Sequence, residues 1–290
     1  MQIDTELAYS YCKKLTLSHY ENFPVGSLLI PSNKRKYIYS IYAFARTADD
    51  IADSELYSEE EKLKLLDGYE NELNNIEIKR PVSDSNETRN IFTALSNTTD
   101  ELKIPLKELR DLLTAFRQDA VKQRYNSFDE LLNYSSYSAN PIGHLVLYVF
   151  GYDPGKDEKC FAYSDKICTA LQLTNFWQDV SVDLNIDRIY LPLNTMTDFN
   201  FKEKMLFDKT ENDDFRKMMK HLTERTKLLF EEGRKITNYV SGRLRYELKI
   251  TIAGGMEILN KIEKINYNVL SQRVTISNID KLKLLAKAFT

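Results

Sequence analysis

Helix-breaking residues are scarce in this chain of 290 residues, and their distribution limits the folds that it can adopt. The chain contains seven prolines and nine glycines, and no proline follows Pro192. Because proline ends or kinks a helix and glycine weakens one, this distribution favours long helices. Few segments show the strict alternation of apolar and polar residues that is typical of strands. The sequence therefore predicts an all-α fold, with a single domain over residues 1–290 as the simplest arrangement.

Apolar residues recur at helical spacing along most of the chain. The first long stretch opens at Ser32, a candidate N-cap, and runs to about Leu66. Further helices are predicted at residues 87–97, 105–121, 127–137, 141–150, 156–184, 213–239, 244–270 and 279–288. The polar, turn-rich segments 74–86 and 193–212 are predicted to be connections between helices.

Two acidic clusters carry the chemistry that the sequence suggests. Asp49 and Asp53 stand four residues apart, as do Asp179 and Asp183, so on a helix each pair projects from one face with side chains about 5–6 Å apart. Like charges at that spacing oppose helix formation, so a compensating cation is expected. Mg²⁺ accepts a few carboxylate oxygens together with phosphate oxygens, which predicts a magnesium ion shared with a substrate diphosphate. Taken alone, either pair could equally be a solvated helix face.

The second cluster lies at the end of a stripe of polar residues that recur at helical spacing. The stripe consists of Ser164, Cys168, Gln172, Asn175, Asp179 and Asp183. The other faces of this helix are apolar, so the helix is predicted to be buried and its polar groups need partners. A basic residue lies near each acidic pair, Arg46 before the first and Arg188 after the second. Antiparallel packing of the two helices would form an acidic mouth over an apolar cavity, which suits the ionisation of an allylic or cyclopropylcarbinyl diphosphate.

Composition excludes several other classes of protein. Hydrophobic residues make up 42% and charged residues 29%, as in soluble globular proteins. The net charge of -3 and the lack of a basic block argue against nucleic-acid binding. The three cysteines lack paired metal-ligand spacing and are interpreted as reduced thiols in the cytoplasm. No secretory signal is visible and the longest apolar run, residues 145–150, is too short to span a bilayer, so any membrane contact is predicted to be peripheral.

Three strings resemble the signatures of the squalene and phytoene synthase family, which joins two prenyl chains head to head. They are residues 42–53, residues 171–179 followed by Asp183 and 188–192, and the central string 134–143. The resemblance covers about His19 to about Lys264. It implies a single-domain, all-α isoprenoid synthase fold, with a helical bundle around a central apolar cavity, that acts on a prenyl diphosphate.

The resemblance also implies roles for individual residues. The four aspartates, Asp49, Asp53, Asp179 and Asp183, would bind Mg²⁺ and, through it, diphosphate. Three residues match the family's phosphate-side positions, Arg46, Arg188 and Tyr190, and Lys34 and Arg35 are plausible additions. Substrate-binding roles are also implied for Gln172 and Asn175, which match the family's polar positions one and two turns ahead of the second aspartates. Residues that would face the hydrocarbon are Phe23, Tyr134, Ala139 and Ile142.

The strings 175–179 and 138–143 are similar to the hydroxysqualene synthase branch of bacterial hopanoid biosynthesis. This similarity implies Mg²⁺-dependent conversion of presqualene diphosphate to hydroxysqualene, at the inner face of the membrane and in contact with other enzymes of the squalene pathway. Most carotenoid-type relatives have arginine where this chain has Gln178. They also have an aromatic residue near the position of Gly255, where the glycine is expected to leave room in the pocket.

Three alternatives stay open on the sequence alone. The first is head-to-head condensation of two farnesyl diphosphates to presqualene diphosphate, squalene or dehydrosqualene. The second is a non-catalytic assembly factor of the same family, against which all four aspartates argue because paired carboxylates at a cleft are usually functional. The third is a generic metal-binding helical bundle, which would leave Arg46 and Arg188 unexplained.

Overall fold

A computed structural model of the protein describes residues 5–18, 30–80 and 86–288. Among these residues, β pairing is limited to one isolated parallel bridge between Arg124 and Ile189. The predicted all-α fold is therefore confirmed. None of the helices in the described part is long and apolar enough to cross a membrane. Phe23, one of the predicted substrate residues, lies outside the described residues.

The chain divides into two compact units. The first consists of residues 1–122 and 141–158, and the second of residues 123–140 and 159–290. The long helix that carries the second acidic cluster begins in the first unit and continues into the second, with a break in its helical backbone at Asp157 (φ −116°, ψ 33°). The prediction of a single domain over residues 1–290 stays a prediction.

The first unit is built around the helix that carries the first acidic cluster. Its core includes the rings of Phe44, Tyr69 and Phe92, with ring centroids 5.2–5.8 Å apart. The described helices of this unit are α1 (Thr5–Ser18), α2 (Arg35–Asp53), α3 (Glu59–Glu77), α4 (Asn86–Leu102), α5 (Lys107–Val121) and α7 (Asn140–Phe150), the last beginning one residue before the unit boundary.

The long helix predicted from Ser32 to Leu66 is wrong, because the chain breaks there into α2 and α3. Ser58 begins α3 with a capping box, in which its hydroxyl accepts from the Glu61 N–H at 3.3 Å and the Glu61 carboxylate accepts from the Ser58 N–H at 2.8 Å. These reciprocal hydrogen bonds satisfy N–H groups that a continuous helix would have used. Helix α3 also extends to Glu77, into the predicted connection 74–86, and α1 was not predicted.

The second unit is held together by the helix that carries the second acidic cluster. The fully buried Trp177 donates from its indole Nε1 to the Thr226 hydroxyl at 2.8 Å, which joins α8 to α11. The remaining helices are α6 (Phe128–Ser138), α8 (Pro154–Asp183), α9 (Leu193–Asp198), α10 (Glu203–Phe207), α11 (Asp213–Gly233), α12 (Gly242–Lys264) and α13 (Asn278–Ala288), together with the 3-10 helices Leu184–Ile186 and Arg234–Asn238. The predicted connection 193–212 thus contains two short helices.

Two adjacent glycines in α12 have different surroundings. A Cβ atom at Gly255 would lie 2.4 Å from the Phe230 ring and 3.1 Å from a Leu171 methyl carbon, whereas one at Gly254 would meet nothing within 4 Å. Gly255 therefore allows α12 to pack closely on α8 and α11. The expectation that Gly255 leaves room in a pocket is wrong, and the open position is Gly254.

This contrast predicts opposite effects for two neighbouring alanine substitutions. Gly255→Ala should lower the free energy of unfolding by about 1–3 kcal/mol, because overpacking forces the neighbours to shift. Gly254→Ala is the matched control and should be neutral or stabilising by up to about 1 kcal/mol, since alanine is the better helix former. Urea denaturation of both variants measures this difference. Equal stability of the two would contradict the packing role of Gly255.

Candidate active site

The first acidic cluster occupies the last two turns of α2, in the first unit. Arg46 lies one turn earlier, with Nη1 3.5 Å from Asp49 Oδ2 and Nη2 bonded to Asp50 Oδ1. Asp53 is the last residue of the helix and is exposed. The helix therefore places the guanidinium of Arg46 and three carboxylates on one accessible edge, as the sequence predicts for Arg46, Asp49 and Asp53.

Tyr42 belongs to the same edge of α2, although sequence analysis did not select it. Burial is the main reason that the pKa of the Tyr42 hydroxyl is raised. The charge of Arg46 lowers this pKa, whereas the charges of Asp50 and Asp49 raise it. The charges of the acidic cluster therefore affect the pKa of this hydroxyl. Its position four residues before Arg46 was the signal that could have identified it.

The two added basic residues, Lys34 and Arg35, bind backbone carbonyls of the first unit. Lys34 Nζ donates to the Val149 carbonyl and lies 5.5 Å from the centroid of the Phe150 ring. Arg35 Nε donates to the Ile30 carbonyl at 3.0 Å. These bonds fix the start of α2, and roles for both residues at a substrate phosphate stay predictions. Ile142 on α7 packs against the apolar core of the first unit, so its contact with hydrocarbon also stays a prediction.

The polar stripe of α8 is partly accessible, although most of the helix is buried. Asn175 is exposed, while Gln172, Asp179 and Asp183 are half-buried. Neighbouring residues on the other faces, such as the fully buried Trp177, are shielded from solvent. The stripe therefore presents its amides and carboxylates along one accessible line of an otherwise buried helix.

Arg273 binds the second acidic cluster and was not predicted. Its Nε donates to Asp179 Oδ1 at 2.5 Å and its Nη2 to Asp179 Oδ2 at 3.2 Å. The hydrogen bond with Asp179 is the main cause that raises the pKa of the guanidinium, and the charge of Asp183 adds to it. Gln178 donates to the Val274 carbonyl at 2.6 Å, which anchors the segment next to Arg273. No sequence pattern links these residues, which are more than ninety positions apart.

The loop after α8 sets the position of Arg188. Asp187 adopts a left-handed conformation (φ 58°), and the Arg188 N–H donates to the Asp183 carbonyl at 2.9 Å. Arg124 bonds to Asp187 Oδ1 at 2.6 Å and to Glu203 Oε1 at 2.8 Å, which ties the loop to α10. The fold therefore returns Arg188 to the end of the helix that carries Asp183, as the sequence predicted.

Aromatic rings line the second unit beside this loop. Tyr190 stacks on Phe176 with ring centroids 3.8 Å apart and planes 9° apart, and Tyr134 lies 6.0 Å from Phe176. Ala139 ends α6 as its C-cap residue. One small cleft brings the charged and aromatic groups together, and its lining is Phe176, Val180, Asp183, Leu184, Arg188, Ile189, Tyr190, Leu191 and Leu206.

The carboxylates supply part of the coordination that Mg²⁺ needs. Within the described ranges, no group of three or more histidine, cysteine, aspartate or glutamate side chains is arranged to hold a metal ion. Each unit instead carries a pair of aspartates from one helix, and Mg²⁺ commonly takes one or two carboxylates and fills its octahedron with waters and substrate phosphates. The donor set therefore fits a magnesium ion that binds together with a diphosphate. Because Arg273 contacts both oxygens of Asp179, it would share that carboxylate with the ion.

Glu247 is a further buried carboxylate of the second unit. Its Oε2 is buried without a hydrogen-bond partner, and burial raises the pKa of the side chain to about 7. A buried polar atom without a partner is costly, so this glutamate needs a structural or functional reason. Sequence analysis missed it because a glutamate inside a predicted helix resembles a surface charge.

The sequence is similar to a known protein family and to characterised enzymes. A family model described as squalene/phytoene synthase matches residues 17–280. A hydroxysqualene synthase of Sinorhizobium fredii is 32% identical over 264 residues, which cover 90% of this chain and 85% of that protein. A 15-cis-phytoene synthase of Synechocystis is 29% identical over 293 residues, which cover 98% of this chain and 85% of that protein.

Solved structures give the same result for the fold. The crystal structure of the squalene synthase HpnC from Alicyclobacillus acidocaldarius superposes with a TM-score of 0.84 at 34% identity, and covers 92% of this chain and 97% of that chain. A dehydrosqualene synthase structure with 23% identity and a TM-score of 0.82 shares the fold. Family members use prenyl diphosphates as substrates, which supports an isoprenoid synthase activity for this protein. The chain belongs to the squalene/phytoene synthase family.

Proposed function

We propose that the protein converts presqualene diphosphate and water to hydroxysqualene and diphosphate, with Mg²⁺ as cofactor. The observation that carries the proposal is the small cleft of the second unit in which Asp183 and Arg188 lie beside the aromatic rings of Phe176 and Tyr190. The charged groups suit a diphosphate leaving group, and the rings suit the carbocation that forms when it departs. The relative described above as a hydroxysqualene synthase supports this choice of product.

The first step is loss of the diphosphate from the cyclopropylcarbinyl carbon. The aspartate pairs would hold Mg²⁺, which supplies positive charge for the departing phosphate oxygens when bound. Arg188 would donate hydrogen bonds to the diphosphate, and Arg46, which pairs with Asp49 and Asp50, is proposed to assist at the first aspartate pair. Gln172 and Asn175 on the accessible stripe would orient the same group. These residues act on the charge that develops as the carbon–oxygen bond breaks.

The second step is rearrangement of the cation and its capture by water. The aromatic rings of Tyr134, Phe176 and Tyr190 would stabilise the cation by about 0.5–2 kcal/mol for each well-placed ring. A water oxygen then bonds to the cationic carbon and its proton leaves to solvent. No side chain has to act as a nucleophile, and no reductant is consumed.

Condensation of two farnesyl diphosphates is the second candidate function. The specific observation in its favour is the similarity to a phytoene synthase over nearly the whole chain, at almost the same identity. A non-catalytic assembly role is less well supported, because all four aspartates of the two pairs are present. A cytoplasmic location and contacts with other enzymes of the squalene pathway are further proposals.

Separate supply of the two substrates distinguishes these functions. Purified protein with Mg²⁺ should form hydroxysqualene from presqualene diphosphate without NADPH, because capture by water needs no hydride. Mass spectrometry of the extracted products measures the outcome. Product from farnesyl diphosphate alone, or only after NADPH is added, would instead favour condensation.

A further inference from the structure

Arg273 contacts one of the carboxylates that are expected to bind Mg²⁺. Its Nε lies 2.5 Å from one oxygen of Asp179 and its Nη2 lies 3.2 Å from the other. The side chain of Asp179 is only 13% exposed, whereas that of Arg273 is 47% exposed. The guanidinium therefore forms a bidentate ion pair with a largely buried carboxylate, and in this geometry such a pair is strong.

The backbone next to Arg273 is fixed by two helices of the second unit. Gln178 on α8 donates from its Nε2 to the Val274 carbonyl at 2.6 Å. Lys261 on α12 donates from its Nζ to the Thr275 carbonyl at 2.8 Å. The side chain of Val274 is also buried. None of these contacts involves a carboxylate of the second aspartate pair, so the fold itself holds the arginine beside that pair.

The charges at this end of α8 already balance one another. The hydrogen bond with Asp179 is the main cause that raises the pKa of Arg273, and the charge of Asp183 raises it further. The guanidinium therefore lies within electrostatic reach of both aspartates. Arg188 lines the same cleft as Asp183, so two carboxylates are accompanied by two guanidinium groups. A free divalent cation gains little Coulomb attraction from such a set of charges.

Arg273 nevertheless leaves coordination positions open on Asp179. An ionised carboxylate offers about four lone-pair positions on its two oxygens, and the guanidinium uses one on each oxygen. Mg²⁺ can therefore reach the remaining positions, but it would lie close to the positive guanidinium and be repelled by it. A diphosphate brings several negative charges that offset this repulsion. The charge of the accompanying ligand, and not the supply of oxygen ligands, then decides whether the ion binds.

We infer that Arg273 lowers the affinity of the second aspartate pair for free Mg²⁺, so that the pair holds the ion only together with a diphosphate. The inference rests on the proposed function, which assigns Mg²⁺ and a diphosphate to this pair. The ion would then enter with the substrate and leave with the released diphosphate. Arg273 thus selects the form in which the metal binds.

Equilibrium dialysis of Mn²⁺ against the purified protein tests the role of Arg273, because Mn²⁺ shares the preference of Mg²⁺ for carboxylate oxygens. Wild type should retain little Mn²⁺ at the second pair until inorganic diphosphate is added. Arg273→Gln removes the positive charge and should bind Mn²⁺ about tenfold more tightly, or more, without diphosphate. Arg273→Lys keeps the charge and should stay within about threefold of wild type.

Two further variants serve as controls in the same experiment. Arg216→Gln removes an arginine that pairs with Asp213 on the surface of α11, at 2.9 Å, and should leave Mn²⁺ binding unchanged. The double variant Asp179→Asn/Arg273→Gln should lose the added affinity, which assigns the gain to the second pair. Circular dichroism of each variant checks that the fold is retained.

The results distinguish metal selection from catalysis. Equal Mn²⁺ affinity of wild type and Arg273→Gln would overturn the inference, as would a gain that persists in the double variant. Strong Mn²⁺ binding by the second pair of wild type without diphosphate would also overturn it. Because dialysis needs no turnover, the expected Mn²⁺ results without hydroxysqualene formation would contradict only the proposed function. Hydroxysqualene formation by wild type, with equal Mn²⁺ affinity in Arg273→Gln, would contradict only the selection by Arg273.

Discussion

Replacement of Asp179 or Asp53 by asparagine should lower turnover of presqualene diphosphate by about 1000-fold or more. Each substitution removes one negative charge from a carboxylate pair, and charge stabilisation by a bound metal is worth several kcal/mol, with about 1.4 kcal/mol for each factor of ten. Asparagine keeps the shape of the side chain. Asp53 is exposed, and at position 179 the amide oxygen can still accept a hydrogen bond from Arg273. The folded structure should therefore survive.

Single-turnover kinetics and circular dichroism of each variant measure these two effects separately. Asp100→Asn is the matched control, since Asp100 is an exposed aspartate of α4 and has no role in the proposed site. Chelation of Mg²⁺ should lower turnover of the wild type at least as much as either substitution does. Turnover within tenfold of wild type in both variants, or in metal-free buffer, would contradict a role for the paired aspartates.

Glu247→Gln should stabilise the protein at pH 8 by at most about 3–4 kcal/mol and have little effect at pH 4.5. Burial raises the pKa of Glu247 to about 7, above its ordinary value of 4.5. The folded state therefore holds this proton more tightly than the unfolded state between pH 4.5 and pH 7. As the pH rises through that window, the glutamate ionises at a cost and the free energy of unfolding falls. Glutamine is not ionised and avoids this loss.

Urea denaturation of wild type and variant at several pH values measures the difference. The stabilisation should grow from pH 4.5 to pH 7 and then level off. Glu257→Gln on the same helix serves as the control, because Glu257 forms an ion pair with Lys264 at 3.6 Å and is partly exposed. A stability difference that is constant with pH would show that Glu247 does not titrate within this window.

Local sequence patterns predicted the parts of the site that lie on single helices. The spacing of Asp179 and Asp183 placed them on one face of α8, and the apolar residues between them predicted that the remaining faces are buried. Residues such as Arg46 and Arg188 were found because they lie within one or two turns of an aspartate. In each case the deciding interaction is short-range in the sequence, so the helical period was sufficient.

Interactions between distant segments were beyond the reach of such patterns. The pairing of Arg273 with Asp179 depends on where the chain returns after α12. The pocket role expected for Gly255 was wrong because only tertiary packing decides that this glycine, and not Gly254, meets Phe230. The break between α2 and α3 depended on a local competition, in which the Ser58 capping box outweighed a continuous apolar period.

We expect water, and not hydride, to capture the carbocation formed from presqualene diphosphate. The most direct test is turnover in ¹⁸O-labelled water, with Mg²⁺ and without any nicotinamide, followed by mass spectrometry of the extracted hydrocarbon. The product should be a C30 alcohol that carries one ¹⁸O atom in its hydroxyl group, and the released diphosphate should be unlabelled. A hydrocarbon product without oxygen, or an alcohol that retains ¹⁶O from the substrate, would contradict this expectation.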